Sequence, residues 1–191
     1  MKKLMNTIKV VVTIFLIVIS VNVNAQGFKE LDKTPQDIEY FRTSRVTEPL
    51  VKVIYGRPSI KNDEQAFGSK IPYDKLWRTG ANEATEIKLY QDVFFGDHLV
   101  EAGIYTLLTI PRKDNWEIIL NKNLDVWGAF QYNPKDDVAR IAIPATKAER
   151  IKVFSIGFKR EENKVLMVLA WDRTRVKIPL QFKEQNFYAK L

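Results

Sequence analysis

From about residue 51 onward, apolar residues recur at every second position, and this alternation restricts the fold more than any other feature of the chain. Residues 51–55 are nearly all apolar or β-branched. Ile87 and Leu89 fall on one face, and Glu86, Lys88 and Tyr90 on the other. Tyr105, Leu107 and Thr109 oppose Thr106, Leu108 and Ile110, and Trp116, Ile118 and Leu120 oppose Glu117, Ile119 and Asn121. The same beat returns at Ile141 and Ile143, at Phe154, Ile156 and Phe158, at Leu166, Val168 and Ala170, and at Val176, Ile178 and Leu180. Side chains on a strand point to opposite faces in turn, so a period of two buries one face of each segment.

Short connections with turn chemistry separate these segments. Gly96-Asp97 divides residues 93–95 from 98–100 and predicts a two-residue hairpin. Glu101-Ala102-Gly103, Asp114-Asn115, Asn133-Pro134 and Glu162-Asn163 mark further turns. Eight or nine short strands in this spacing predict an all-β, antiparallel β-sandwich of jelly-roll or immunoglobulin-like type, or a flattened barrel. A short N-terminal helix is expected from Pro35 to Arg42. Residues 46–182 are read as the single β domain, 26–45 as a polar lead-in and 183–191 as a tail. The stretch 57–81 is the longest without strand periodicity, and long irregular segments on a rigid sheet tend to carry function.

The first 25 residues read as a secretory signal peptide. Lys2, Lys3 and Lys9 supply positive charge, residues 10–21 an apolar run, and Val23-Asn24-Ala25 a small-residue exit before Gln26. The run is short of the roughly 20 residues that span a bilayer, so no transmembrane segment is expected after cleavage. The chain has no cysteine, which excludes a lipidated N-terminal cysteine and disulfides alike. The expected location is therefore periplasmic or secreted, and not as a lipoprotein. The formal charge is +7. It is uneven: residues 26–146 carry 16 basic and 18 acidic side chains, residues 147–191 carry 11 and 5. The basic residues of the last strands alternate with apolar ones, as on a solvated sheet face. No basic-aromatic motif suggests nucleic acid.

Standard catalytic sets are missing. His98 is the only histidine and cysteine is absent, so a zinc site would need carboxylates for nearly all its ligands. Asn121-x-Asn123-x-Asp125 has calcium-loop spacing, but Val126 stands where the loop glycine belongs and Tyr132 where the glutamate belongs. No Gly-x-Ser-x-Gly elbow or phosphate-binding glycine loop is present. No metal or cofactor is expected. Glu83 and Glu86 diverge if the strand has begun at Glu83, and converge only if Glu83 lies in the loop. The segment 73–85 gathers Tyr73, Trp77, Arg78, Asn82 and Glu83 around Gly80. An arginine fork clamps carboxylate or phosphate, and tryptophan offers a stacking face to a sugar or cation. These five are the candidate ligand-binding residues. In the alternative structural reading, Arg78 and Glu83 pair across Gly80 while Trp77 fills the core.

With those residues in view, the chain resembles the DUF2911 family. The likeness is carried by Gly56-Arg57-Pro58-Ser59, Phe67-Gly68, Pro72-Tyr73 and the run Trp77-Arg78-Thr79-Gly80-Ala81-Asn82-Glu83-Ala84-Thr85. It continues through Ala102-Gly103-Ile104-Tyr105, Ile110-Pro111, Asn121-Lys122, Trp127-Gly128-Ala129-Phe130 and Tyr132-Asn133, covering about residues 45–180. The resemblance implies an exported protein of Bacteroidetes-type bacteria and assigns no catalytic residues. The chain is therefore read as an exported, non-catalytic binding module for a small molecule, a glycan or an envelope protein. The alternative is an envelope hydrolase using Glu83 and Arg78.

Overall fold

A computed structural model describes residues 1–6, 27 and 30–182. The apolar run and exit motif of the expected signal peptide, and the tail from residue 183, lie outside the described residues. The chain divides into two units, Met1–Lys33 and Thr34–Leu191. In the first, residues 2–6 are helical, with the Met5 amide donating to the Met1 carbonyl at 3.2 Å. This is the short N-terminal helix; within residues 35–42, where the sequence predicts it, Gln36–Phe41 form a strand instead. Among the described residues no helix is long and apolar enough to cross a membrane.

The described residues of the second unit form one antiparallel sheet of nine strands. They are β1 (Gln36–Phe41), β2 (Val51–Gly56), β3 (Thr85–Leu89), β4 (Val93–Phe95), β5 (His98–Val100), β6 (Gly103–Pro111), β7 (Asn115–Asn121), β8 (Asp137–Arg160) and β9 (Val165–Phe182). Their order across the sheet is β1-β2-β3-β6-β7-β8-β9-β4-β5. The all-β antiparallel expectation holds. The sheet starts ten residues before the expected domain boundary at 46, because β1 pairs along its whole length with β2.

Two segments read as separate strands on each side are single long ones. β8 pairs with β7 through residues 137–144 and with β9 from Ala145 onward. Pro144, which has no amide to donate, sits at the changeover. Register shifts at Lys147/Ile151 and Ile151/Ser155 reset the alternation within β8. On β9, Val165, Met167, Leu169 and Trp171 face inward at odd positions, and Val176, Ile178, Leu180 and Phe182 at even ones. The left-handed Asp172 (φ 50°) lies between the two sets.

The inward faces share one core. At its centre Phe67, Trp77, Trp116, Phe154 and Trp171 pack edge-on or stacked, with Phe67 and Trp116 ring centres 4.7 Å apart. The sheet curls so that Tyr55 of β2 meets Phe154 of β8 and Phe41 of β1 stacks on Phe182 of β9. Where β1 and β2 approach β8, side chains close the seam. Tyr55 Oη donates to the Ile156 carbonyl at 3.3 Å and accepts from its amide at 3.0 Å. Arg57 donates to Asp37 (2.9 Å), to Ser155 Oγ (2.7 Å) and to the Phe154 carbonyl (3.2 Å).

Candidate functional site

The segment 77–85 is built as a structural clasp. Trp77 is buried, exchanges backbone hydrogen bonds with Thr109 of β6 at 2.7 and 2.9 Å, and donates its indole N–H to the Gly80 carbonyl at 3.0 Å. Thr79, wholly buried and left-handed at φ 57°, donates to Thr109 Oγ1 at 3.1 Å. Thr85 Oγ1 donates to the Thr79 carbonyl at 2.8 Å. A Cβ on Gly56 would stand 2.2 Å from the Ala81 carbonyl oxygen, so the loop rests directly on the end of β2. Much of the run that carries the family likeness is thus spent on packing.

The five sequence candidates separate accordingly. Trp77 is a core residue and offers no stacking face. Tyr73 is half-buried against the core, its ring over Gly68. Asn82 is left-handed (φ 62°), and its carbonyl accepts from Gly128 at 3.3 Å. Arg78 is half-buried. Its Nε is buried without a hydrogen-bond partner, and burial pulls its guanidinium below the usual arginine range. Glu83 is exposed and faces Trp127 across an isolated β-bridge. Among the described residues no ion pair joins Arg78 to Glu83, so the pairing expected across Gly80 is absent.

The structure brings Glu83 to a different set of partners. β3 begins at Thr85, so Glu83 lies in the loop and Glu86 on the strand, the one arrangement in which they converge. Both line a cleft of about 110 Å³ on the outer face of the sheet, with Gln36, Ile54, Thr106 and Asp125. Ile54, Glu86 and Thr106 are direct cross-strand neighbours on β2, β3 and β6, which fixes the floor. Arg78 does not line the cleft.

One wall of the cleft is the loop after β7. Its backbone turns at Asp125 (φ 56°) and Gly128 (φ 73°). It is tied down by Ala84 N–H to the Val126 carbonyl (3.0 Å), by Gly128 N–H to the Asn82 carbonyl, and by Thr106 Oγ1 to the Asn123 carbonyl (2.5 Å). This held loop presents Trp127 and Phe130 at 62% and 89% exposure, whereas Trp77, Trp116 and Trp171 are at 4%, 2% and 1%. A Cβ on Gly128 would come within 2.9 Å of the Phe130 ring, so the bare glycine seats that ring. Sequence reasoning missed Trp127, Phe130, Asp125 and Gln36 as site residues. A signal was present: Trp127 and Phe130 fall in a non-periodic, glycine-containing stretch where no strand face exists to bury them.

Beyond the loop, outward side chains of β7 and β8, with Arg112 just after β6 and the loop residue Asp74, form a charged chain. Arg112 bridges Asp74 and Glu117, each at 2.8 Å, and Arg140 bridges Glu117 (2.5 Å) and Asp137 (3.0 Å). The Arg112 hydrogen bond, seconded by Arg140, holds the Glu117 carboxyl below its ordinary range. Burial, with the bonded Asp137, pushes the Tyr132 phenol up to about 12. These groups satisfy one another and form a brace on the sheet.

The fold and cleft define an antiparallel β-sheet protein with a small acidic depression beside exposed aromatic side chains. The family model described as a protein of unknown function, DUF2911, matches residues 38–180, and the chain belongs to that family. No curated protein and no solved structure matches it.

Proposed function

We propose that the protein is an exported, non-catalytic binding module and that its ligand is held at the outer-face cleft. The observation that carries this reading is the convergence of Glu83, Glu86 and Asp125 from two loops and a strand onto one depression beside Trp127. Its rigid floor and fixed loop match what pre-formed ligand sites require. At about 110 Å³ the cleft falls below the roughly 300 Å³ at which sites enclose a whole small molecule, so it seats one group of a larger ligand. Export is supported by Lys2, Lys3 and Lys9, the apolar run and Val23-Asn24-Ala25.

The same convergence favours a second reading, a hydrolase. Two carboxylates flanking a bond are the minimum for acid-base cleavage of a glycoside. Glu83 and Glu86 supply two carboxylates to one cleft, and Arg78, which does not line it, takes no part. One experiment separates the two readings. Wild type and Glu86→Gln are screened by thermal shift against oligosaccharides, peptides and amines, since a ligand that binds only the native state raises Tm. A ligand that raises the wild-type Tm by several degrees, has little effect on the variant and is recovered intact by mass spectrometry supports the binding module. Recovery of a cleaved ligand transfers the assignment to a hydrolase, and equal shifts in both proteins remove the cleft from either role.

A further inference from the structure

The cleft accounts for one side of the loop that carries Trp127, but it leaves Phe130 without a role. Phe130 is 89% exposed, yet its ring is seated on Gly128 and its loop is tied to residues 82–84 and to β6. One exposed apolar side chain is ordinary, but two large aromatic ones held on the same short loop form the beginning of an interaction surface. Trp127, three residues earlier, does not line the cleft but pairs across an isolated bridge with Glu83, which does.

Charge identifies the occupant. Among the described residues, Glu83, Glu86 and Asp125 take part in no ion pair, while Asp37, Asp74, Glu117, Asp137 and Asp172 are each bonded to an arginine. The lysine two positions from Glu86 on the same face is turned aside, its Nζ lying 4.6 Å over the Tyr90 ring. The cleft therefore presents negative charge with no internal cation set against it, next to an exposed indole that attracts cations through its face. Its size admits an ammonium or guanidinium head and little more. A free amine would use only the cleft and Trp127. Phe130 adds contact area that only a larger partner can cover.

We propose that the Trp127–Phe130 surface docks a partner polypeptide by taking one of its lysine or arginine side chains into the cleft. The proposal rests on the cleft being the ligand seat and adds the chemistry of what enters it. Long-range attraction does not produce such binding by itself, because the whole chain carries +7 and repels polycations at a distance.

The test uses the full chain titrated with tetralysine amide, tetraarginine amide, tetraglutamate and butylamine at low ionic strength. Trp127 is the exposed one of four tryptophans, so its emission reports the site, and anisotropy of a labelled peptide reports binding when Trp127 is replaced. Saturable binding of the basic peptides, with no response to tetraglutamate and much weaker binding of butylamine, is the expected result. Glu86→Gln, Asp125→Asn and Trp127→Phe are each expected to weaken it by roughly tenfold, and Phe130→Ala severalfold. Equal affinity for butylamine, binding of tetraglutamate, no binding of the basic peptides, or indifference to Phe130→Ala would each overturn the proposal. If the basic peptides fail while another ligand still depends on Glu86, this inference falls and the cleft reading stands. If Glu86→Gln and Asp125→Asn alter the binding of nothing, both fall together.

Discussion

Gly56 and Gly157 both sit in strands without a left-handed backbone, yet they tolerate a side chain very differently. A Cβ on Gly56 would meet the backbone of Ala81 at 2.2 Å, and one on Gly157 meets nothing within 4 Å. Gly56→Ala is expected to cost about 3 kcal/mol, since only backbone movement relieves the overlap. Gly157→Ala is expected to be neutral or to stabilise by up to about 1 kcal/mol through the unfolded chain. Urea denaturation of the two variants checks the pair, and similar losses in both would contradict the contact assigned to Gly56. Glu83 was legible because its loop-or-strand ambiguity could be stated from spacing alone. Pairing of Arg78 with Glu83 would need the chain to reverse at Gly80. The reversal falls instead to left-handed Thr79 and Asn82, and Gly80 is needed for close approach to Gly56. The partners that place Glu83 are Trp127 and Val126, some forty positions away, and no local pattern reveals them.

Among the elements, β1 is the strand whose sequence predicts a helix. Its apolar Ile38 and Tyr40 point outward, and its acidic Asp37 and Glu39 lie opposite Tyr55 and Val53, whose side chains are in the core. The alternation is present with its phase inverted. Inward charge on an edge strand discourages pairing with other chains, and here Asp37 is also bonded to Arg57 across the seam. Glu39 lacks such a bond. Burial, with Asp37 adding to it and Arg57 opposing, raises its carboxyl above the ordinary 4.5. The folded state thus holds that proton more tightly than the unfolded chain does. The resulting stabilisation is complete below about 4.5 and disappears as pH rises through the raised value. At pH 7 the charged form works against the fold, so Glu39→Gln is expected to stabilise by less than about 1 kcal/mol, the group being only partly buried. The gain should vanish near pH 4. Thermal melts at pH 7 and pH 4 check this, and an equal effect at both would show that ionisation of Glu39 is not its source. β8 and β9 illustrate the opposite failure. Their halves were each legible, but bulges that reset the alternation made each long strand look like two.

For the molecule as a whole, the class of fold followed from periodicity, while the order of strands did not. Nothing local tells that the β4–β5 hairpin leaves its sequence neighbours β3 and β6, which pair with each other, to join β9. The whole-chain reading that remains open to direct measurement is export. Produced in a bacterium able to process it, the protein is expected to reach the envelope or medium beginning at Gln26, with 27 basic and 23 acidic residues remaining. Intact-mass measurement decides the matter, and recovery of the chain from Met1 in the membrane fraction would refute it. The position of the hairpin also sets a timetable. Val93 pairs with Phe182 and Phe95 with Leu180, so this hairpin lacks its flanking strand until the final strand has been delivered. A chain that emerges from its N-terminus can assemble β1, β2, β3, β6 and β7 early, but it cannot close the core until β9 arrives. Such dependence on distant pairing slows folding, and it leaves the core open until β9 has joined β4.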